Sequence, residues 1–142
     1  MALNSVSPDI VRSVQDVGSL LLLIKEMLTR SSLDPKFCGK DFYLGYSLSQ
    51  NGRCLGSIGI NLHDPQWVFY TTDGIKINSA AAKEVVLPLS DFHEYGKSSY
   101  WTFTVDLTEA EGLFNKSVKE QIVWLKTELL DKCLAVAQVI VL

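Results

Sequence analysis

The sequence predicts an α+β fold. An antiparallel sheet of four to five strands, two hairpins plus one later strand, is packed on one face by N-terminal and C-terminal helices. Three observations predict it. Apolar residues recur at three- and four-residue spacing near both ends of the chain, at Val11, Val14, Val17, Leu21, Ile24 and Leu28 and again at Val118, Ile122, Leu125, Leu129 and Cys133. The middle of the chain alternates apolar and polar residues around the Asn51-Gly52 and Asp73-Gly74 turn dipeptides. Ser99 to Leu107 alternates cleanly, with Trp101, Phe103, Val105 and Leu107 on one side and Tyr100, Thr102, Thr104 and Asp106 on the other.

Taken in order, residues 1–6 read as a flexible arm ahead of a single domain spanning the 142 residues. Ser7-Pro8-Asp9 has the residue types of a helix start: a capping hydroxyl, a proline in the first helical position and an acid in the first turn. Leu20, Leu22, Leu23 and Met27 widen the apolar stripe of this helix, which ends near Arg30, ahead of Ser31-Ser32 and Asp34-Pro35.

Phe42 to Leu62 reads as a hairpin. A two-residue Asn-Gly loop would pair Leu48 with Leu55 and leave apolar residues opposite Ser, Gly and Asn. A three-residue loop, Gln50-Asn51-Gly52, pairs Leu48 with Cys54, Leu44 with Ile58 and Phe42 with Ile60, which collects the apolar residues on one face. A one-residue slip inverts every side chain, so burial favours the three-residue loop. A second hairpin of the same design pairs Thr71 with Ile75 and Phe69 with Ile77, the short Ile75–Ile77 arm serving as an edge strand. Ser79 to Leu87 mixes helical and strand signals, and Pro88 to Ser98 reads as loop. Ser117-Val118-Lys119-Glu120 matches a capping box and starts the last helix.

Composition bounds the function. The chain is 47% hydrophobic and 20% charged, with net charge −3. An acidic chain whose basic residues never cluster beyond pairs attracts no phosphate backbone, so no nucleic-acid partner is expected. The longest unbroken apolar run, Leu20 to Ile24, is far short of the roughly 20 residues of a membrane span. The first residues lack the basic-then-apolar pattern of a secretory signal. Three cysteines, Cys38, Cys54 and Cys133, are widely spaced and odd in number. They read as reduced thiols in a cytoplasmic protein.

Chemistry-bearing motifs are sparse, and no cofactor is called for. His63-Asp64 and His93-Glu94 carry residue types that ligate zinc or non-haem iron, each pair on an expected loop. His93 also lies near Ser90, Ser98 and Ser99, but no nucleophile-elbow motif accompanies them. The alternative function class is therefore a small metal-dependent hydrolase or nuclease using His63, Asp64, Asp73, His93 and Glu94. The order helix, antiparallel strands, variable segment, strand, helix resembles a degenerate restriction-endonuclease-like topology. That resemblance implies an Asp and an acid-x-Lys pair holding Mg²⁺. Asp73-Gly74-Ile75-Lys76 has the residue types but sits on a turn, Lys83-Glu84 is reversed, and Trp67-Val68-Phe69-Tyr70 contains no charge.

Two features point to contacts rather than catalysis. Tyr43, Tyr70, Tyr100 and Thr102 fall on the less apolar sheet face, with Ser47, Ser57 and Thr104, a composition suited to a partner-binding surface. The last helix closes on Ala135-Val136-Ala137-Gln138-Val139-Ile140-Val141-Leu142 without a Gly cap, a Pro or a basic last turn. Helical apolar area beyond what one sheet hides predicts a second layer of contact. Such an end is buried against its own sheet, a second copy or another protein, or the chain is part of something longer; the leading expectation is a homodimer joined through Trp124, Leu130, Leu134, Val139, Ile140 and Leu142. The expected function is a non-enzymatic protein-protein interaction module, an inhibitor, adaptor or immunity-type protein, binding itself and another protein.

Overall fold

A computed structural model describes residues 8–110 and 112–142, with side chains described from Val17 onward. The expected arm, residues 1–6, and the capping Ser7 lie outside the described residues. Helix α1 (Pro8–Arg30) is followed by β1 (Asp34–Lys40), β2 (Tyr43–Gln50), β3 (Arg53–Asn61) and β4 (Trp67–Thr71). A single-turn helix α2 (Ser79–Lys83), β5 (Ser90–Tyr95) and β6 (Ser98–Asp106) come next. The chain closes with α3 (Val118–Leu125), a π-helical stretch (Lys126–Leu130) and α4 (Asp131–Ile140). All strand pairs are antiparallel, in the order β1-β2-β3-β4-β6-β5. The sheet has six strands, where the sequence suggested four to five.

Helix α1 stops where expected, and the backbone shows why. Ser32 takes a left-handed φ of 59°, Leu33 N–H bonds the Leu28 carbonyl at 3.0 Å and Ser32 N–H bonds that of Thr29 at 3.2 Å. This is a Schellman motif, with Leu33 buried next to Leu28. The chain turns at once into β1, an edge strand rich in polar residues, Pro and Gly that the sequence reading left unassigned. Edge positions tolerate Pro35 because one row of N–H groups needs no ladder partner.

The β2–β3 hairpin corrects the expected turn. Asn51 and Gly52 both have positive φ, 53° and 78°, and Gln50 pairs Arg53 across a two-residue loop. That loop alone would give the unfavourable parity. A bulge between Leu48 and Ser49 on one strand and Gly56 and Cys54 on the other inserts Leu55 and restores it. Beyond the bulge Leu48 faces Gly56, Tyr46 faces Ile58 and Leu44 faces Ile60. Tyr46, Leu48, Ile58 and Ile60 therefore share the buried face, while Cys54 is exposed opposite Ser49.

The second hairpin does not form. Thr72 to Ile75 makes a turn, but Ile77 reaches only Val141, through an isolated bridge. Strand β4 pairs instead with β3 and β6. The nine-residue β6 brings Trp101, Phe103, Val105 and Leu107 into the core. That burial outweighs what a three-residue arm could offer. Strand β5, expected as loop, folds back on β6 through Gly96-Lys97, with His93 opposite Tyr100.

Helices α1, α2, α3 and α4 and the π-helical stretch join the inward residues of the sheet in one hydrophobic cluster. Ser117 caps α3, accepting from Glu120 N–H at 3.2 Å. The π-helical stretch widens one turn so that neighbouring Leu129 and Leu130 are both fully buried. The end of the chain is tied down. Val141 leaves the helix as extended backbone, its carbonyl accepts from the Arg53 guanidinium, and Leu142 N–H bonds the Lys76 carbonyl at 3.1 Å. Of the residues expected at a helix interface, four lie in or against the core. Leu130 and Ile140 lie wholly inside the protein's own core, and Trp124 and Leu134 pack against it, half-buried. Only Val139 and Leu142 stay exposed, at 65% and 75%.

Candidate functional site on the open sheet face

Among the described residues every helix packs on the inner face of the sheet, which leaves the outer face open. Strand alternation decides which side chains it carries. From β2 comes Tyr43, from β4 Phe69 and Thr71, from β6 Tyr100, Thr102 and Thr104, and from β5 Asp91, His93 and Tyr95. Phe42 in the β1–β2 turn, Asn61 at the end of β3 and Asp73 after β4 close the margins of a cleft of about 210 Å³.

The cleft exists because two glycines face each other beneath it. Gly45 and Gly59 are direct ladder partners. A Cβ on Gly59 would lie 2.6 Å from Tyr43 Cδ2 and 3.1 Å from Phe69 Cζ, so the bare backbone is what admits both rings. Tyr43 meets Phe69 edge-on at 5.2 Å and Phe42 at 5.1 Å, while Phe42 and Phe69 lie nearly parallel, 21° apart in plane. On the far wall the His93 ring stacks on Tyr100 at 4.6 Å, and Tyr95 stacks behind at 6.0 Å.

Electrostatics at the site are simple. Lys40 Nζ reaches Asp73 Oδ2 at 3.0 Å, joining the β1–β2 corner to the turn after β4. The hydrogen bond to Asp73 raises the lysine above its ordinary range. Burial raises the Tyr43 phenol, and burial followed by the Tyr95 hydroxyl raises that of Tyr100, so both remain neutral donors. His93 Nε2 lies 3.5 Å from Asp91 Oδ2 and 3.5 Å from Thr102 Oγ1. A nucleophile–base–acid relay needs the acid on one ring nitrogen and the nucleophile on the other. Here both sit on the same nitrogen, so the group orients rather than activates. Ser90, a candidate partner of His93, is bonded to the Leu87 backbone instead.

The metal alternative is not assembled. His93 and Glu94 are neighbours on β5 and point to opposite faces, Glu94 pairing Lys83 at 3.0 Å on the helix side. His63 and Asp64 sit in the β3–β4 turn, where the Asn61 side chain accepts from both their N–H groups. Asp73 lines the same cleft as His93 but is held by Lys40. Among the described residues no group of three or more His, Cys, Asp or Glu is placed to hold a metal. A larger concavity, about 580 Å³, lies between the β3–β4 turn, the segment after β6 and Leu20 of α1. Its walls are apolar residues and loop polar groups, with Asp64 as their one described charge.

Of the expected partner-binding residues, Tyr43, Tyr100 and Thr102 share the outer face. Tyr70 does not. It pairs Ile58, is fully buried against Trp101 and donates its hydroxyl to the Leu55 carbonyl. The register puts Phe69 where Tyr70 was expected. The alternation of Trp67, Phe69 and Thr71 against Val68 and Tyr70 was visible in the sequence, but its direction depends on the ladder to β3. His93, a residue type suited to metal ligation, instead walls the cleft. No family model, curated protein or solved structure matches the chain.

Proposed function

We propose that the protein is a non-enzymatic protein-binding module, of the inhibitor, adaptor or immunity-protein kind, engaging its partner through the open sheet face. One observation carries the reading. The helices leave one face of a six-stranded sheet uncovered, and at its centre are aromatic rings interleaved with threonine hydroxyls rather than the charged residues of an ordinary solvated face. Tyr, Phe and Thr at low charge density suit a desolvated contact. Three free cysteines fit a reducing compartment such as the cytoplasm, and no helix among the described residues is long and apolar enough to cross a membrane.

Self-association through the last helix has a narrower basis. Of the six residues proposed for it, Val139 and Leu142 are the exposed ones. Two side chains fall far short of the roughly 800 Å² per partner of a stable interface, so the sheet face is the preferred surface.

Capture from the native host with immobilised protein tests the reading. The wild type, a Thr102→Lys/Thr104→Lys double variant and a helix-layer variant, Leu22→Lys, are compared. Thr102 and Thr104 are half-buried on the outer face, whereas Leu22 is exposed on α1. The sheet variant is expected to lose the partner and the helix variant to keep it. The reverse pattern would move the binding surface to the helices.

A further inference from the structure

We propose that the cleft receives an arginine side chain of the partner protein, its guanidinium stacked between aromatic walls and bonded to Asp73 in place of Lys40. The proposal rests on the sheet-face reading above and adds the chemistry of the anchor.

Charge is the first argument. Of the residues that line the cleft, Asp73 is the only one with a fixed charge, and it is negative. A second carboxylate, Asp91, stands beside it on the His93 side and is 72% exposed. Aromatic faces carry negative potential of their own, so rings and carboxylates together favour a cation. The protein already satisfies this locally, since Lys40 arrives from 33 residues away to cover Asp73. That ion pair is half-exposed on both sides, at 55% and 49%. Pairs of this kind are weak and exchangeable.

Size and shape are the second argument. Pockets for small-molecule ligands typically enclose roughly 300–1,000 Å³. At about 210 Å³ this cleft matches one long side chain. Each wall is built of rings that lie nearly parallel to one another, Phe42 with Phe69 at 21° and His93 on Tyr100 at 18°, so flat aromatic surfaces border the cleft. Guanidinium is planar, stacks on rings and donates in a fork, whereas an ammonium acts as a point charge. Lys40 reaches Asp73 from the β1–β2 corner and is not among the residues that line the cleft. An aromatic anchor would fit the walls but would leave the Asp73 carboxylate uncompensated once Lys40 was displaced.

Titration by amide NMR with an acetylated, amidated Gly-Arg-Gly peptide tests this, with Gly-Lys-Gly, Gly-Tyr-Gly and Gly-Glu-Gly peptides in parallel. The arginine peptide is expected to give saturable shifts at Thr71, Tyr100, Thr102 and Thr104, larger than those of the other three. Asp73→Asn should weaken it about fivefold, the scale of one exposed ion pair. Lys40→Gln, which removes the internal competitor, should strengthen it. Because both sites are surface residues, the two variants are expected to keep the wild-type spectrum elsewhere. Unchanged affinity in Asp73→Asn, a stronger response to the tyrosine peptide, or no response to any peptide would overturn the proposal. A captured partner that survives Asp73→Asn yet is lost with Thr102→Lys/Thr104→Lys would overturn the arginine anchor and leave the sheet-face reading standing.

Discussion

Tyr70 donates its phenol proton to the carbonyl of Leu55, the residue that the β3 bulge leaves without a ladder partner. Burial holds that phenol protonated well above the ordinary tyrosine range. A raised folded-state value fixes the sign. The unfolded chain loses the proton first, so stability is fully present below about pH 10 and declines as pH rises beyond it. Burial raises the Cys133 thiol as well, which adds a loss of the same sign from about pH 8.5 upward. Tyr70→Phe is expected to cost about 1–2 kcal/mol at neutral pH, because the Leu55 carbonyl is left buried and unpaired. It should also flatten the alkaline decline. Urea unfolding of both proteins from neutral to alkaline pH checks this, and parallel pH profiles would contradict the buried hydroxyl's part in it. The tyrosine was legible as an alternating residue of a strand. Its side was not, because a hydroxyl invites assignment to the polar face, and only the Leu55 acceptor makes its burial cheap.

At the scale of elements, the β2–β3 hairpin shows two devices substituting for one. Sequence parity required the apolar residues of both strands to share a face, and they do. The route is a two-residue turn plus a bulge rather than a three-residue loop. Both turn residues have left-handed φ, which costs an ordinary L-residue about 1–2 kcal/mol. Asn51→Gly is therefore expected to be neutral or slightly stabilising and Asn51→Ala to lose about 1 kcal/mol, read from denaturant midpoints. Equal losses in the two variants would assign the effect to the asparagine side chain instead. Strands β1 and β5 escaped the sequence reading for one shared reason. Both are edges, and edges carry the Pro, Gly, Lys and acidic residues that also make loops. Their strand character comes from the neighbour that pairs them. The Ile75–Ile77 arm failed in the opposite sense, because its apolar residues were real but β6 had the longer ladder to offer.

Across the whole molecule, much of the oily last helix is hidden by the protein's own fold, with Val139 and Leu142 left exposed. Ile140 is fully buried, Arg53 and Asn78 donate to the carbonyls of Val141 and Ile140, and Leu142 N–H donates to that of Lys76. Ile140→Ala is expected to cost about 2–5 kcal/mol as a core cavity. Val139→Asp, one residue earlier and 65% exposed, should stay within about 0.5 kcal/mol and leave the sedimentation coefficient unchanged. A smaller species on Val139→Asp would restore self-association through this helix. The candidate site belongs to the same scale. Phe42, Phe69, Asp73, His93 and Tyr100 come from five separate segments, and only the twist and order of six strands bring them to one cleft.

Period and punctuation were enough to specify the two terminal helices, the β2–β3 and β6 strands, the capping serine and the α+β class, because each follows from local spacing and local backbone preference. Face and company were decided by pairing. Whether Tyr70 or Phe69 looks outward, how much of the last turns the fold itself covers, and whether Asp73 meets Lys40 all depend on neighbours distant in sequence. A strand's own residues set an alternation, but the strand beside it chooses which half meets water.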